Sequence, residues 1–565
     1  MRLNGAEVIV HCLMEQGVDT VFGYPGGAVL NIYDALYKYS DKITHILTSH
    51  EQGASHAADG YARTTGKTGV VIATSGPGAT NLVTGIATAY MDGVPMVAIT
   101  GNVARNLLGL DSFQEVDITG ITMPITKHNY IVKDVNMLAD IVREAFYIAN
   151  EGRKGPVLID VPKDITAEMV EFENKELKKY VYEKSDSEKS DSIDEEIRTA
   201  VEIIKQAERP FIYAGGGVVH SDAVDAFKKF VELVDAPVAL SLMGQCAFDN
   251  TDKRYIGMLG MHGTKTSSLT VGECDLMIVL GSRFSDRVSC DTNTFVKSTK
   301  ILHIDIDPAE VNKNIIVDYN VVGDLAYVLK ELNSLLPQQS HKEWMDRVYS
   351  WKEQYPVYMQ SDDEEAVLPQ YVIETLDRLT GGKAIISTEV GQHQMWTAQF
   401  YNFRERRSFA TSGGLGTMGY GLGAAIGSKI GNPEKTVVNI AGDGSFYMNL
   451  TELSTMAKYK IPVIELILNN NVLGMVRQWQ RMFYDKRFSN TTLDKNTDFV
   501  MLANAFGLKG YRISKKSEVE EVLKKAIELN EPVLIDCRIC KDINVLPMVP
   551  AGASVHEPIL CIDTH

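Results

Sequence analysis

Asp443, held between two glycines, and the asparagine run Asn469–Asn470–Asn471 are the residues of this chain whose types and spacing could do chemistry. An apolar run, Val437 to Ala441, breaks at Gly442–Asp443–Gly444–Ser445; a helix-like stretch follows, and Pro462 opens a second apolar run that ends in the three asparagines. Asp443 and Asn470 stand 27 positions apart, about one β-α-β step. In a parallel sheet the carboxyl ends of two such strands lie side by side. A carboxylate and an amide oxygen would then face one hard cation, while Gly442 and Gly444 let backbone N–H groups approach a phosphate. Magnesium takes a few protein oxygens and fills its shell with phosphate oxygens, so the pattern suits a metal-bridged diphosphate.

The sequence strand–GDG–helix–strand–NN resembles the diphosphate-anchoring motif of thiamine diphosphate enzymes. The resemblance implies that Asp443, Asn470 and the backbone carbonyl of Val472 hold Mg²⁺ and that Ser445 assists the diphosphate. It also implies that Gly391, Gln392 and His393 (VGQHQMW), with Gly442, Gly444, Gly474 and Met475, line the cofactor. Such chemistry needs a carboxyl group that shifts the cofactor's aminopyrimidine to its imino tautomer, in a dry pocket beside a partner that shares its proton. Glu51 is the match. By position alone it reads as a helix N-terminal acid favoured by the dipole, but the segment His50 to Arg63 (HEQGASHAADGYAR) closely resembles the catalytic-glutamate segment of acetohydroxyacid synthases. A bulky apolar side chain must also bend the cofactor, and Met418 in TSGGLGTMGYG matches the family there; alone it would read as a core methionine among glycines.

Stepwise alternation of glycine-bounded strands and helices predicts the elements that position these groups: an α/β protein of three doubly wound parallel-sheet domains. The expected limits are 1–170 for a pyrimidine-binding domain, 192–337 for a central domain and 366–565 for a diphosphate domain. Two polar stretches, 171–191 and 338–365, read as linkers. The first and third blocks look like distant copies. Val70 to Asn102 parallels Val437 to Asn470, with Gly78, Asn81 and Pro95 answering Gly444, Asn449 and Pro462. Shared β-α-β grammar is the alternative explanation, but a pair of related domains is what the resemblance implies.

The central block lacks a G-x-G-x-x-G. Its strands, expected at Pro210–Ala214, Pro237–Ser241, Leu276–Leu280 and Ile301–Ile304, are followed by glycines and acidic residues: Gly215, Gly216 and Gly217, then Met261, His262 and Gly263, then Gly281 and Arg283, then Asp305, with Asp324 further on. Such strand ends suit an extended dinucleotide. The order GGG, MLGMHG, GSRFSDRV, HIDIDP resembles the FAD-binding domain of biosynthetic acetohydroxyacid synthases, from which flavin-free relatives depart. The resemblance then implies FAD, Arg287 on a 2-oxo acid carboxylate and Trp479 walling the acceptor pocket. It also implies Phe113 beside the cofactor, Gln114 near the reacting oxygen, Lys163 near the flavin, and Gly27 with Gly26 admitting substrate to the thiazolium. Ala104, Ser285 and Gly423 depart from common residues of the family.

Composition sets the outer limits. The chain has 565 residues, 45% apolar and 23% charged, with a net charge of −17, an ordinary globular balance that argues against nucleic acid as partner. No apolar run suits a membrane span. The N-terminal stretch reads as an amphipathic helix with Val8, Ile9, Cys12 and Leu13 on one side rather than a signal peptide. Seven scattered cysteines fit a reducing cytoplasm. Cys537 and Cys540 form a lone C-x-x-C, read as buried thiols rather than a metal or redox site. The family reading is a catalytic subunit that decarboxylates pyruvate on thiamine diphosphate. It then condenses the two-carbon unit with pyruvate or 2-oxobutyrate, entering branched-chain amino-acid biosynthesis. A homodimer or homotetramer with sites between subunits and a separate small regulatory subunit come with it. The rivals are a flavin-dependent pyruvate oxidase, a simple decarboxylase and an inactive assembly partner; intact Glu51, Asp443 and Asn470 argue against the last.

Overall fold

The computed structural model describes residues 1–175, 191–296, 299–359, 361, 363, 365–494 and 497–561. Its frame is three six-stranded sheets, each wholly parallel, plus a small antiparallel pair of Arg2–Asn4 with Met169–Glu171. The first sheet takes its strands from Thr20–Tyr24, Thr44–Leu47, Gly69–Ala73, Met96–Asn102, His128–Ile131 and Pro156–Pro162. Numbered in chain order, they lie 2-1-3-4-6-5 across the sheet. The third sheet uses Ile385–Thr388, Phe409–Ala410, Val437–Gly442, Val463–Asn469, Lys509–Ile513 and Val533–Arg538, in the same order 2-1-3-4-6-5. The duplication read from the sequence is therefore a duplication of topology.

The central sheet differs. Pro210–Ala214, Val238–Leu240, Tyr255–Met258, Leu276–Leu280, Lys300–Asp305 and Tyr319–Val322 lie 3-2-1-4-5-6, the doubly wound order that binds dinucleotides where the strand order reverses. Two of its strands, Pro210–Ala214 and Leu276–Leu280, fall at the expected bounds. Tyr255–Met258 and Tyr319–Val322 were not expected. They are the two edges of the sheet, short and half-buried, and contain Gly257 and Asn320, residues that weaken a strand signal.

The inner strands of each sheet, such as Gly69–Ala73, Leu276–Leu280 and Val463–Asn469, are buried on both faces, as sheets covered by helices on each side require. The N-terminal helix Gly5–Glu15 begins at Asn4, whose side chain caps Glu7 N while Glu7 returns to Asn4 N, a capping box. It buries Val8, Ile9, Cys12 and Leu13 as expected, and Val10 as well. Of the expected linkers, residues 176–190 lie outside the described residues. The stretch 338–365 carries a helix, Lys342–Gln354, that buries Trp344, Met345 and Val348, and Trp344 Nε1 donates to Pro210 O at 2.9 Å. Its polar composition belongs to the exposed face. Cys537 is buried but Cys540 is exposed, because the strand ends at Arg538 and the chain turns outward. Among the described residues no group of three or more His, Cys, Asp or Glu could hold a metal, and no helix is long and apolar enough to cross a membrane.

The first and third sheets dock through two glycine- and alanine-rich helices, Glu51–Thr65 and Gly421–Gly431. The backbones touch: a Cβ on Gly60 would lie 2.6 Å from Ala424 Cα, and one on Gly427 2.9 Å from Ala57 Cα. This contact fixes the loops before Glu51 and after Met418.

Candidate active site

The strands Val437–Gly442 and Val463–Asn469 are paired in parallel, with Gly442 opposite Leu468, so Asp443 and Asn470 leave adjacent strand ends together. Asp443 is 2% exposed and its Oδ1 is buried without a hydrogen-bond partner. Burial pushes its carboxyl up to about 7. A buried, orphaned carboxylate oxygen has the donor chemistry that a hard cation satisfies. Asn470 Oδ1 accepts from Val472 N at 3.1 Å, and Asn471 takes the left-handed conformation (φ 55°) between them. The resulting tight turn brings Asn470 and the Val472 peptide to one place. Gly442 and Gly444 leave room that a side chain would fill: a Cβ on Gly442 would lie 2.7 Å from His393 Nδ1, and one on Gly444 would run into Leu473. Carboxylate, amide and bare glycine backbone fit a magnesium-bridged diphosphate.

Gly391 opens the helix Gln392–Phe400, and the His393 ring packs against Gly391 and Gly442. His393 is buried, its Nε2 has no partner, and burial lowers its pKa to about 3, so the ring is neutral. Gln392 was expected at the diphosphate. Its amide Nε2 donates to Gln478 Oε1 (3.0 Å) and Ile543 O (2.9 Å), leaving its Oε1 without a hydrogen-bond partner against Gly474. Ser445 Oγ donates to Glu389 Oε2 at 2.7 Å. Glu389, a residue the sequence did not single out, also receives Gly419 N at 2.7 Å. Met418 is thus half-buried on a turn tied to the GDGS loop.

Glu51 is the first residue of its helix, 9% exposed, and its Oε2 accepts from Asn81 Nδ2 at 3.0 Å. Asn81, which the sequence had marked only as part of the duplication, is thus the amide donor that orients the Glu51 carboxyl. The loop before Glu51 is held from the third sheet: Ser49 N and His50 N donate to the buried Glu452 carboxylate. Among the described residues no hydrogen bond or ion pair joins Glu51 to Asp443, Asn470 or Met418. On the same sheet Gly27 is open, whereas Gly26 is the close approach, its Cβ position 2.5 Å from Thr74. Gln114 sits at φ 61°, and Phe113 is 89% exposed. Lys163 is exposed at the start of the helix Lys163–Ala167.

A cavity of about 540 Å³ lies where the three sheets meet. Gly216, Gly217, Met261, His262, Gly263, Gly281, Arg283, Asp305 and Asp324 line it from the central domain, as the sequence predicts, joined by Gly391, Met475 and Trp479 from the third and by Arg287. Gly215 does not line it; its N–H bonds Leu280 O, and a side chain there would meet Ser282. Lys163 does not line it either. Asp324 caps the helix Leu325–Leu335 through Ala326 N. Gly217 packs on Gly281, where a Cβ would lie 2.6 Å from the Gly281 Cα, across the point where the strand order reverses. That cradle, cavity size and position fit an extended dinucleotide. The exposed Arg287 guanidinium and the half-buried Trp479 ring face one cavity from different domains. Asp92, Arg153 and Lys154 of the first domain also line it; they stand in no motif, and only domain docking brings them there.

The chain matches family models of the thiamine pyrophosphate enzymes in three successive spans: the N-terminal TPP binding domain over residues 3–121, the central domain over 197–332 and the C-terminal TPP binding domain over 389–537. With one span on each sheet, it is a thiamine pyrophosphate enzyme. It is 45% identical to the acetolactate synthase large subunit of Porphyra purpurea, over 98% of this chain and 94% of that protein. It is also 45% identical to the probable acetolactate synthase large subunit of Methanocaldococcus jannaschii, over 99% and 96%. For the corresponding protein of Buchnera aphidicola the figures are 43%, 98% and 98%. The chain belongs to the acetolactate synthase large-subunit family.

Proposed function

We infer that the chain decarboxylates pyruvate and joins the remaining two-carbon unit to a second 2-oxo acid, giving 2-acetolactate from pyruvate and 2-aceto-2-hydroxybutyrate from 2-oxobutyrate. The observation that carries this beyond family membership is the buried, unpartnered Asp443 Oδ1 beside Asn470 at adjacent strand ends. When bound, thiamine diphosphate supplies the nucleophilic carbon and the electron sink for decarboxylation. Asp443, Asn470 and the Val472 carbonyl would hold Mg²⁺, with Ser445 and the glycine N–H groups against the diphosphate. Glu51 would hold a proton at the aminopyrimidine nitrogen, its carboxyl oriented by Asn81. Met418 would fix the bend between the rings, Arg287 would pair with a substrate carboxylate, and Trp479 would wall the acceptor side.

FAD is the dinucleotide this reading puts in the 540 Å³ cavity. The overall reaction has no net redox change, so its role would be structural. The active unit would be at least a dimer, with Glu51, Gln114 and Phe113 of one chain completing the site anchored by Asp443 of another. The exposure of Phe113, Leu110 (66%) and Met123 (68%) on the first domain, and of Met448 (59%) on the third, supports a covered face. The relatives' designation as large subunits supports a separate small regulatory chain. The test is product analysis with pyruvate plus 2-oxobutyrate, omitting thiamine diphosphate, Mg²⁺ and FAD in turn. Both acetohydroxy acids should form without oxygen uptake. Acetaldehyde as main product, or oxygen consumption in step with pyruvate, would sink the reading.

A further inference from the structure

We propose that Glu389 is a positioning residue: it locks the Met418 turn to the Ser445 end of the GDGS loop, so that the side chain between the cofactor's rings and the anchor under its diphosphate keep one separation. The proposal rests on the reading of the site given above.

Glu389 follows the strand Ile385–Thr388, and its own N–H bonds Ile440 O at 3.1 Å, which pins it beside the strand leading to Asp443. Its side chain is wholly buried. Oε2 accepts from Ser445 Oγ and Gly419 N, both at 2.7 Å, and Oε1 accepts from Leu422 N at 3.2 Å. Asn449 Nδ2 donates to Gly419 O at 3.0 Å. Both polar groups of Gly419 are thus tied down, immediately after Met418. Gly419 has φ 87°, and a Cβ there would lie 3.1 Å from Met448 Cβ, so the turn has little freedom to adopt another path.

Packing alone does not account for this acid. A buried carboxyl is costly to keep, and a second, Glu465, is buried nearby: burial pushes its carboxyl well up, and the charge of Glu389 adds to the rise. Asn439 Nδ2 donates to both oxygens of Glu465, at 3.0 and 2.8 Å. The three donors converging on Glu389 come from two distant segments: Ser445 of the GDGS loop, and the continuous stretch in which the Met418 turn (Gly419) runs into the first turn of the helix Gly421–Gly431 (Leu422). A single carboxylate is the group that can accept from all three.

The test uses the full enzyme with thiamine diphosphate, Mg²⁺ and FAD, and compares Glu389→Gln, Met418→Ala and the double variant. Glu389→Gln keeps the shape but sets an amide N–H₂ against donors. It should lower kcat by about 10–100-fold, the scale of a misplaced reacting group, while the Kd for thiamine diphosphate, read by intrinsic fluorescence, moves by less than about 10-fold. In the Met418→Ala background the same change should alter kcat by less than about 3-fold, since the side chain being positioned is gone. Amide exchange over Gly419–Leu422 should be faster in Glu389→Gln than in wild type without any cofactor bound. Additive losses of kcat in the double variant, or unchanged exchange at Gly419, overturn the proposal. If Glu389→Gln does not fold, Ser445→Ala removes one donor and must show the same non-additivity with Met418→Ala; additivity there overturns it too. Normal kcat in Met418→Ala overturns this proposal and the reading of the site together, whereas wild-type product formation with additive variants overturns this proposal alone.

Discussion

Glu51 and Asp443 are both acids in the first turn of a helix, yet their surroundings divide their work. Asp443 has a buried oxygen without a hydrogen-bond partner, the donor chemistry that the proposed Mg²⁺ would satisfy. Glu51 has an amide partner in Asn81 and is largely buried, which suits the proposed proton relay. Glu51→Gln should therefore leave thiamine diphosphate binding close to normal and slow turnover by at least ~100-fold; steady-state kinetics beside a binding titration will tell, and near-normal turnover removes the assignment. Trp479 packs at a tilt against Phe483 (ring centroids 5.1 Å apart) and borders the cavity that Arg287 also faces. A methylene in an apolar pocket is worth roughly 1–3 kcal/mol. Trp479→Leu should thus shift the ratio of 2-aceto-2-hydroxybutyrate to 2-acetolactate toward the latter when both acids compete. An unchanged ratio leaves Trp479 as a packing residue.

At the scale of elements, the parallel strands carry buried polar groups that make stability depend on pH. Asp160, on Pro156–Pro162, is buried and accepts from Thr100 Oγ1 (2.7 Å) and Asn102 Nδ2 (2.5 Å) on the neighbouring strand. Burial raises its carboxyl from 3.8 to about 7. The folded state then holds a proton that the unfolded chain has released, so stability falls as pH rises from about 4 to about 7. Urea unfolding across that window should show wild type losing a few kcal/mol relative to Asp160→Asn; a pH-independent difference would refute it. The docked helices give a second test. Gly60→Ala places a methyl against the Ala424 backbone and should cost about 1–3 kcal/mol, seen as a lower thermal midpoint, whereas an unchanged midpoint would mean the two helices can separate without loss.

The whole molecule holds two copies of one topology around a third, different sheet. Its own chain docks the copies through helices, not through Glu51 and Asp443. In the proposed dimer, whose site takes Glu51 from one chain and Asp443 from the other, mixing inactive Glu51→Gln with inactive Asp443→Ala protein under subunit exchange should restore part of the activity, because one hybrid site is wild type. Absence of recovery after exchange is demonstrated by mass would place each site within one chain.

How much of this was legible in advance follows from the range of the forces involved. The GDG…NN pattern, the central glycines and the strand Leu276–Leu280 are local: turn chemistry and apolar runs write them into consecutive residues, and the sequence determined them unaided. The edge strands Tyr255–Met258 and Tyr319–Val322 were hidden because their pairing, not their composition, makes them strands. The helix Lys342–Gln354 was hidden because three buried residues anchor a mostly polar surface. Glu389 resembles any strand-end acid until Gly419, Leu422 and Ser445 converge on it. Asp92, Arg153 and Lys154 reach the cavity only because separate domains pack there. Residue types and spacing thus fixed which chemistry the chain could attempt; the tertiary structure decided which buried groups stand within bonding distance, since contacts between distant segments depend on packing that no local pattern encodes.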